Sequence, residues 1–273
     1  MTCDPGSTVE MVVIIATSKG RTGLLINRSL KSVYGQKGAD PLVIIVDDNP
    51  VRVGEDRSSE YDRIREGIVE LRAKELVGTL EGHRETGHPN IDGTFRTELL
   101  PNMGTRGNSG TGAWNTGIRH ALDKMDGRLF YILFLDDDDE YLGGHLSTCE
   151  RAIRSCDTAP AAVFSPLIWK GRGVEEVHDI DADRLTQKDF FTGNPGVQGS
   201  NMCFRSDVLV KLDGFDEKLP STTDRDIMIR FLDLVDEMRS EDPGKARIVV
   251  NAAPMAVHHA YGGDRVTDDR EAK

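Results

Sequence analysis

The chain has 273 residues, 38% of them hydrophobic and 29% charged, which suits a folded protein of one or two α/β units and argues against a fibre or a disordered tail. Lysine and arginine number 34 and aspartate and glutamate 46, so that 34 − 46 = −12, an acidic balance that speaks against a protein tracking nucleic-acid phosphates. Met1 to Glu10 lacks the basic-then-apolar pattern of a signal peptide, no apolar run approaches the roughly 20 residues that span a bilayer, and Cys3, Cys149, Cys156 and Cys203 lack metal-type spacing; a cytoplasmic protein with reduced thiols and no membrane span is expected.

In chain order, Glu10 to Ala16 is a short β-branched run, followed by a polar turn from Thr17 to Arg21 and an apolar-periodic stretch from Leu24 to Tyr34. The pattern predicts strand, loop and helix. Leu42 to Val46 repeats the strand signal and stops at Asp47-Asp48-Asn49-Pro50, giving a second β-α-β step and parallel pairing. Ser58 to Leu80 alternates charges with Ile64, Ile68, Leu71 and Leu76 and reads as an exposed amphipathic helix. After Phe95 to Leu100 comes a glycine-rich loop, Asn102 to Gly112, and then a helix over Ala113 to Met125. Leu129 to Leu135 reads as a buried strand that ends in four consecutive acids, Asp136 to Asp139. A helix near His145 to Ser155, a strand near Ala161 to Ile168, turns over Gly193 to Gly199, a strand at Asn201 to Arg205 and a helix at Ile227 to Val235 complete the pattern. With no internal repeat and no low-complexity linker, one composite domain is expected, divided after the aspartate run.

Ligands of open α/β sheets bind beyond the carboxyl ends of the strands, and two of the strongest strands end in acids, at Asp47-Asp48 and at Asp136 to Asp139. Adjacent carboxylates repel, and a hard divalent ion sharing phosphate oxygens with a ligand is the natural compensation. If the strand runs on extended, Asp136 and Asp138 point to one side and Asp137 and Asp139 to the other. The competing reading is a solvated acidic turn before the His145 helix.

These segments together carry a family resemblance. VVIIATSKGRTGLLINRSLKSVYGQ, VIIVDDNP, SGTGAWNTGIRHA, YILFLDDDD, GSNMCFRSDVLVKLDGFDE and TTDRDIMIRF resemble, in matching order, an inverting family 2 glycosyltransferase of the GT-A fold, over about residues 10 to 235. The resemblance implies a Rossmann-like, mixed but mostly parallel central sheet flanked by helices, with residues 1–140 as the nucleotide-sugar-binding half and 141–273 as the acceptor-binding and catalytic-base half. It implies Thr17, Asp48, Asp136 and Asp137 on the nucleotide-sugar side, with Arg106 and Asn115 as further candidates, Asn115 being equally readable as a locally satisfied helix residue. Asp138 resembles the acid that binds Mn²⁺ or Mg²⁺, and His258, of the pair His258-His259, the histidine that completes the metal site. Asp224 resembles the general base, although the family's Glu-Asp reads Thr223-Asp224 here; the alternative is an N-cap of the following helix. Gly199, Ser200 and Asn201 fall on the acceptor side. The expected partners are a nucleoside-diphosphate sugar donor and a small-molecule, glycan or peptide acceptor, with self-assembly into a homo-oligomer left open. Two rivals compete: a sugar nucleotidyltransferase, whose Gly-x-Gly-Thr-Arg loop would have to follow the first strand whereas the similar Met103 to Gly107 lies mid-chain, and a non-catalytic nucleotide- and metal-binding module.

Overall fold

The computed structural model describes residues 9–86, 96–181 and 185–260, with side chains of the second helix described to residue 75. Cys3, Phe95 and most of the stretch Met1 to Glu10 lie outside these described residues, and so does the side chain of Leu76. The chain opens with β1 (Met11–Thr17), every residue of which is buried except Ala16, which is partly so. A helix follows, α1, made of Thr22–Leu24, a π-helical stretch Leu25–Leu30 and Lys31–Tyr34. Next come β2 (Leu42–Asp47), α2 (Tyr61–Thr86), β3 (Arg96–Pro101), α3 (Thr111–Met125) and β4 (Tyr131–Asp136). The second half carries β5 (Glu140–Tyr141), α4 (His145–Arg154), β6 (Ala162–Phe164), β7 (Leu167–Gly171) and β8 (Val174–His178). It ends with α5 (Gln187–Thr192), β9 (Met202–Arg205), α6 (Ser206–Leu212), α7 (Thr223–Glu241), β10 (Ile248–Val250) and β11 (Ala256–His259).

Seven strands form the central sheet in the order β10-β6-β9-β4-β1-β2-β3. All neighbours pair in parallel except β9, which runs antiparallel to both β4 and β6. Because successive side chains point to opposite faces, β1 serves two cores at once. Val12 and Ile14 face the layer of α3 and α7, whereas Met11, Val13 and Ile15 face α1, α2 and α4. Gly117 in α3 lets that helix lie on β1, since a Cβ there would come within 2.5 Å of Ile14 Cγ2. In α2, Ile64, Ile68 and Leu71, three of the apolar positions that the period of the sequence picks out, are buried, and Tyr61 joins them from the helix start. Phe134 is fully buried against Trp114 and Phe215, with ring centroids 5.3 and 5.2 Å away, so Phe134→Ala would cost about 3–5 kcal/mol.

Two local expectations are corrected, one helix is longer than expected, and a second sheet is added. The strand foreseen near Ala161 to Ile168 is two strands in different sheets, because Pro166 has no N–H to continue the ladder. The acids after β4 do not alternate along an extended strand; Asp139 N–H bonds back to the Asp136 carbonyl at 3.2 Å and closes a turn. Finally, β5, β11, β7 and β8 form a second, four-stranded sheet, and α7 extends on both sides of Ile227 to Val235, ending just before Pro243.

Candidate active site

Parallel register gathers the expected acids at one rim. Thr17 lies opposite Asp47 across the β1/β2 pair, and Ala16 lies opposite Asp136 across the β1/β4 pair. The turn after β4 is held from below by α1. The Ser29 hydroxyl lies 2.9 Å from the carbonyl oxygens of both Asp136 and Asp139, and Arg28 Nη1 donates to the Asp138 carbonyl at 2.8 Å. Both residues belong to the π-helical stretch, a feature often found beside functional sites.

Each carboxylate of the turn has its own environment. The buried Asp137 accepts from Thr17 Oγ1 at 2.9 Å, from the Ser18 N–H at 3.2 Å and from Arg21 Nη1 at 3.1 Å. Burial still outweighs Arg21 and raises its pKa to about 6. Arg21 Nη1 also reaches Asp138 Oδ2 at 3.0 Å. Asp139 is fully buried, and burial alone would push its carboxyl up; His258 Nδ1 at 2.9 Å, Ser200 Oγ at 2.6 Å and the His259 N–H at 2.9 Å reverse that and hold it below the usual range. Asp136 is pushed well above the ordinary value, first by burial and then by Asp139, Asp138, Asp224 and Asp137.

Asp224 stands in the first turn of α7, one residue beyond Thr223, while Thr222 occupies the cap position with no side-chain cap bond. It is therefore not the N-cap. Burial raises its pKa to about 6, against the opposing pull of His258 and of the Gly199 N–H from which it accepts. Asp224, Asp136, Asp139 and His258 thus share one electrostatic neighbourhood. Alternation along β11 turns His258 toward Asp139 and gives His259 Nε2 a different partner, Glu140 Oε1 at 3.0 Å.

The other candidates sit around this centre in bracing positions. Asp48 accepts from Asn102 Nδ2 at 2.6 Å and the Gly107 N–H at 3.1 Å, and burial raises its pKa despite them. Arg106 donates to the carbonyls of Asp47, Asn49 and Asn102, which curls the glycine-rich loop against the end of β2. Asn115 spends its amide on Phe215, accepting from its N–H at 2.9 Å and donating to its carbonyl at 2.8 Å, and on Glu217. Gly199, Ser200 and Asn201 are buried. A Cβ on Gly199 would meet Trp114 Cη2 at 2.4 Å, Ser200 Oγ accepts from the Asp136 N–H at 3.2 Å, and Asn201 Nδ2 donates to the Gly196 carbonyl at 2.8 Å.

Arg21, Ser29 and Glu217 are the residues that sequence reasoning missed, and Asp139 stood there only as one acid of the run, with no role of its own. Arg21 had a usable signal, since an acid run at the same rim called for a cation and this one follows β1 directly. The others depend on contacts across about a hundred positions of chain.

The donor set fits a divalent ion in one specific sense. Hard carboxylate oxygens and an imidazole lie together, and Asp136 carries excess negative surroundings. Among the described residues no three His, Cys, Asp or Glu side chains form a ready metal cage. Magnesium-type sites rarely have one, since such ions are bound through one or two carboxylates plus phosphate oxygens and water. The Asp139–His258 contact is also the arrangement that orients a metal-ligating imidazole. A cavity of about 640 Å³ lies elsewhere, between α5, α7 and β10, and none of these residues lines it.

No protein-family model matches the chain, and no curated protein sequence matches it. Solved structures do. TarS residues 1–349 from S. aureus in complex with UDP-GlcNAc superposes with a TM-score of 0.57 at 17% identity, over 94% of this chain and 60% of that one. The UDP complex of the same protein gives 0.56 at 18% identity, over 92% and 60%. The mannosyltransferase PcManGT from Pyrobaculum calidifontis, with GDP-Man and Mn²⁺, gives 0.51 at 17% identity, over 96% and 59%. The chain spans about 60% of the length of these neighbours. With its mostly parallel sheet and these neighbours, the chain has the GT-A fold.

Proposed function

We propose that the protein is an inverting, divalent-metal-dependent family 2 glycosyltransferase that moves a sugar from a nucleoside-diphosphate donor to a hydroxyl or similar nucleophile of a small molecule, glycan or peptide. One observation carries this reading: Asp224, raised to about 6, stands beside Asp136, Asp139 and His258 at the carboxyl rim of a fold shared with nucleotide-sugar complexes. On this reading residues 1–140 bind the donor and residues 141–273 supply the acceptor side and the base.

The acceptor oxygen attacks the anomeric carbon as the bond to the diphosphate oxygen breaks on the opposite face, and the leaving diphosphate keeps the electron pair. Asp224 takes the acceptor's proton. A base with a pKa near the working pH combines a large ionised fraction with useful proton affinity, which is what burial achieves here. Asp138 and His258 would hold Mn²⁺ or Mg²⁺, which when bound supplies Lewis-acid stabilisation of the diphosphate's developing charge. Asp139 keeps the His258 ring in place, and Thr17 fixes Asp137 beside the donor pocket. Among the described residues no helix is long and apolar enough to cross a membrane, and the buried free thiols of Cys149, Cys156 and Cys203 suit a cytoplasmic setting.

The test is a thermal-shift screen of UDP, GDP and dTDP with and without Mn²⁺. One of them should raise the melting temperature, and more so with the ion, because a ligand of the folded state adds RT ln(1 + [L]/Kd) to stability. If none does at millimolar concentration under either condition, the reading is wrong.

A further inference from the structure

Glu217, in the segment between α6 and α7, is a junction. Its Oε2 accepts the Thr105 backbone N–H at 2.6 Å, and its Oε1 accepts from Asn115 Nδ2 at 2.9 Å with Arg119 Nη1 at 3.7 Å. Its backbone carbonyl accepts from Asn108 Nδ2 at 2.8 Å, and the Pro220 carbonyl accepts from Ser109 Oγ at 3.2 Å. Gly104 is tightly packed here, since a Cβ there would sit 2.8 Å from Oε2 and 2.9 Å from the backbone carbonyl oxygen of Gly112. The loop gripped in this way is strained: Gly107, Asn108, Ser109 and Gly110 all have positive φ, at 80, 46, 59 and 75°. The two that are not glycine cost about 1–3 kcal/mol each unless their surroundings impose the conformation.

This clamp joins the two halves of the proposed site. On one side the loop carries the Asn102 and Gly107 donors to Asp48, and Gly110 lies against Ala16 at the end of β1. On the other, the chain runs from Glu217 through the buried Ser221 and the left-handed Thr222, φ 60°, directly into Asp224. We propose that Glu217 is a positioning residue that locks the donor-side loop to the segment delivering Asp224, so that one carboxylate sets both donor affinity and the place of the base. The inference rests on the glycosyltransferase reading above. Both carboxylate oxygens are engaged by N–H donors on different elements; in the Glu217→Gln variant the amide carbonyl would satisfy one of them, and the amide nitrogen would face the other donor to donor.

The experiment compares wild type, Glu217→Gln and Asn108→Gly, the last keeping a positive φ while removing one strut of the clamp. UDP and GDP affinities with Mn²⁺ are measured by calorimetry, and kcat and KM for hydrolysis of UDP-GlcNAc and GDP-Man are measured well below each variant's melting temperature. Glu217→Gln should weaken nucleotide binding and also lower kcat at saturating donor, reducing kcat/KM by about 10- to 100-fold. Asn108→Gly should move both in the same direction by a smaller factor. A purely structural role would lower the melting temperature and leave kcat and KM unchanged. The proposal is overturned if either folded variant keeps nucleotide affinity and kcat within about twofold of wild type; should Glu217→Gln not fold, Asn108→Gly decides alone. If wild type binds none of UDP, GDP and dTDP with Mn²⁺, the glycosyltransferase reading falls and takes this inference with it, whereas a competent wild type with unchanged variants refutes Glu217 alone.

Discussion

Asp224→Asn separates catalysis from stability, because the two should move in opposite directions. The carboxyl goes from an ordinary 3.8 to about 6 because burial disfavours its charge. Above pH 6 it is ionised in both the folded and the unfolded chain, and the folded state bears the whole cost of that buried charge. Below 3.8 it is protonated in both, and the cost vanishes. Stability relative to the Asn variant therefore falls as pH rises from 3.8 to 6 and is level beyond. At ~1.4 kcal/mol per pH unit the full difference is at most ~3 kcal/mol, and ~1–2 kcal/mol is the better expectation for a half-buried group that water partly screens. Asn keeps a carbonyl for the Gly199 N–H, so little else changes. Urea unfolding of metal-free wild type and Asp224→Asn at pH 7.5 and pH 4 reads this directly: the variant should be more stable at the first and equal at the second. Turnover should fall by about 10²- to 10⁴-fold, and wild-type kcat should drop about tenfold per pH unit below 6. A variant that is less stable at pH 7.5 refutes the burial argument, and one that retains wild-type turnover refutes the assignment of the base.

Three further outcomes follow from the same contacts. Arg21→Ala removes the cation that bridges Asp137 and Asp138, so Mn²⁺ titrated alone should bind a few-fold more tightly by calorimetry; weaker binding would show that Arg21 supports the ion site instead of competing for it. Gly199→Ala drives a methyl to 2.4 Å from the Trp114 ring and should destabilise by about 1–3 kcal/mol in thermal melts, and an unchanged melting temperature would mean that this packing is softer than it looks. Asn115→Ala leaves the buried N–H and carbonyl of Phe215 unpaired and should cost about 1–3 kcal/mol, measured by urea unfolding; a large loss of nucleotide affinity with unaltered stability would instead make Asn115 a donor-binding residue.

Much of this molecule is written locally. The alternation along β1, β2 and β4, the stripe Ile64, Ile68 and Leu71, and the acids that end β4 are consequences of period and of polarity at a strand terminus, so the chain announces them without its partners. The π-helical stretch of α1, the split at Pro166, the second sheet, and the antiparallel β9 that seats Ser200 beneath Asp136 escape such reading because each is decided by a distant partner. The same holds inside the acid run. Asp136 to Asp139 are four identical residues in sequence, and only the fold makes them different, giving Asp137 to Thr17 and Arg21, Asp139 to Ser200 and His258, and leaving Asp136 amid like charges. The reason is physical: residue type sets which charges a chain carries, but burial and neighbours, supplied by tertiary structure, set which of them are neutralised, which are strained and which are poised to take a proton.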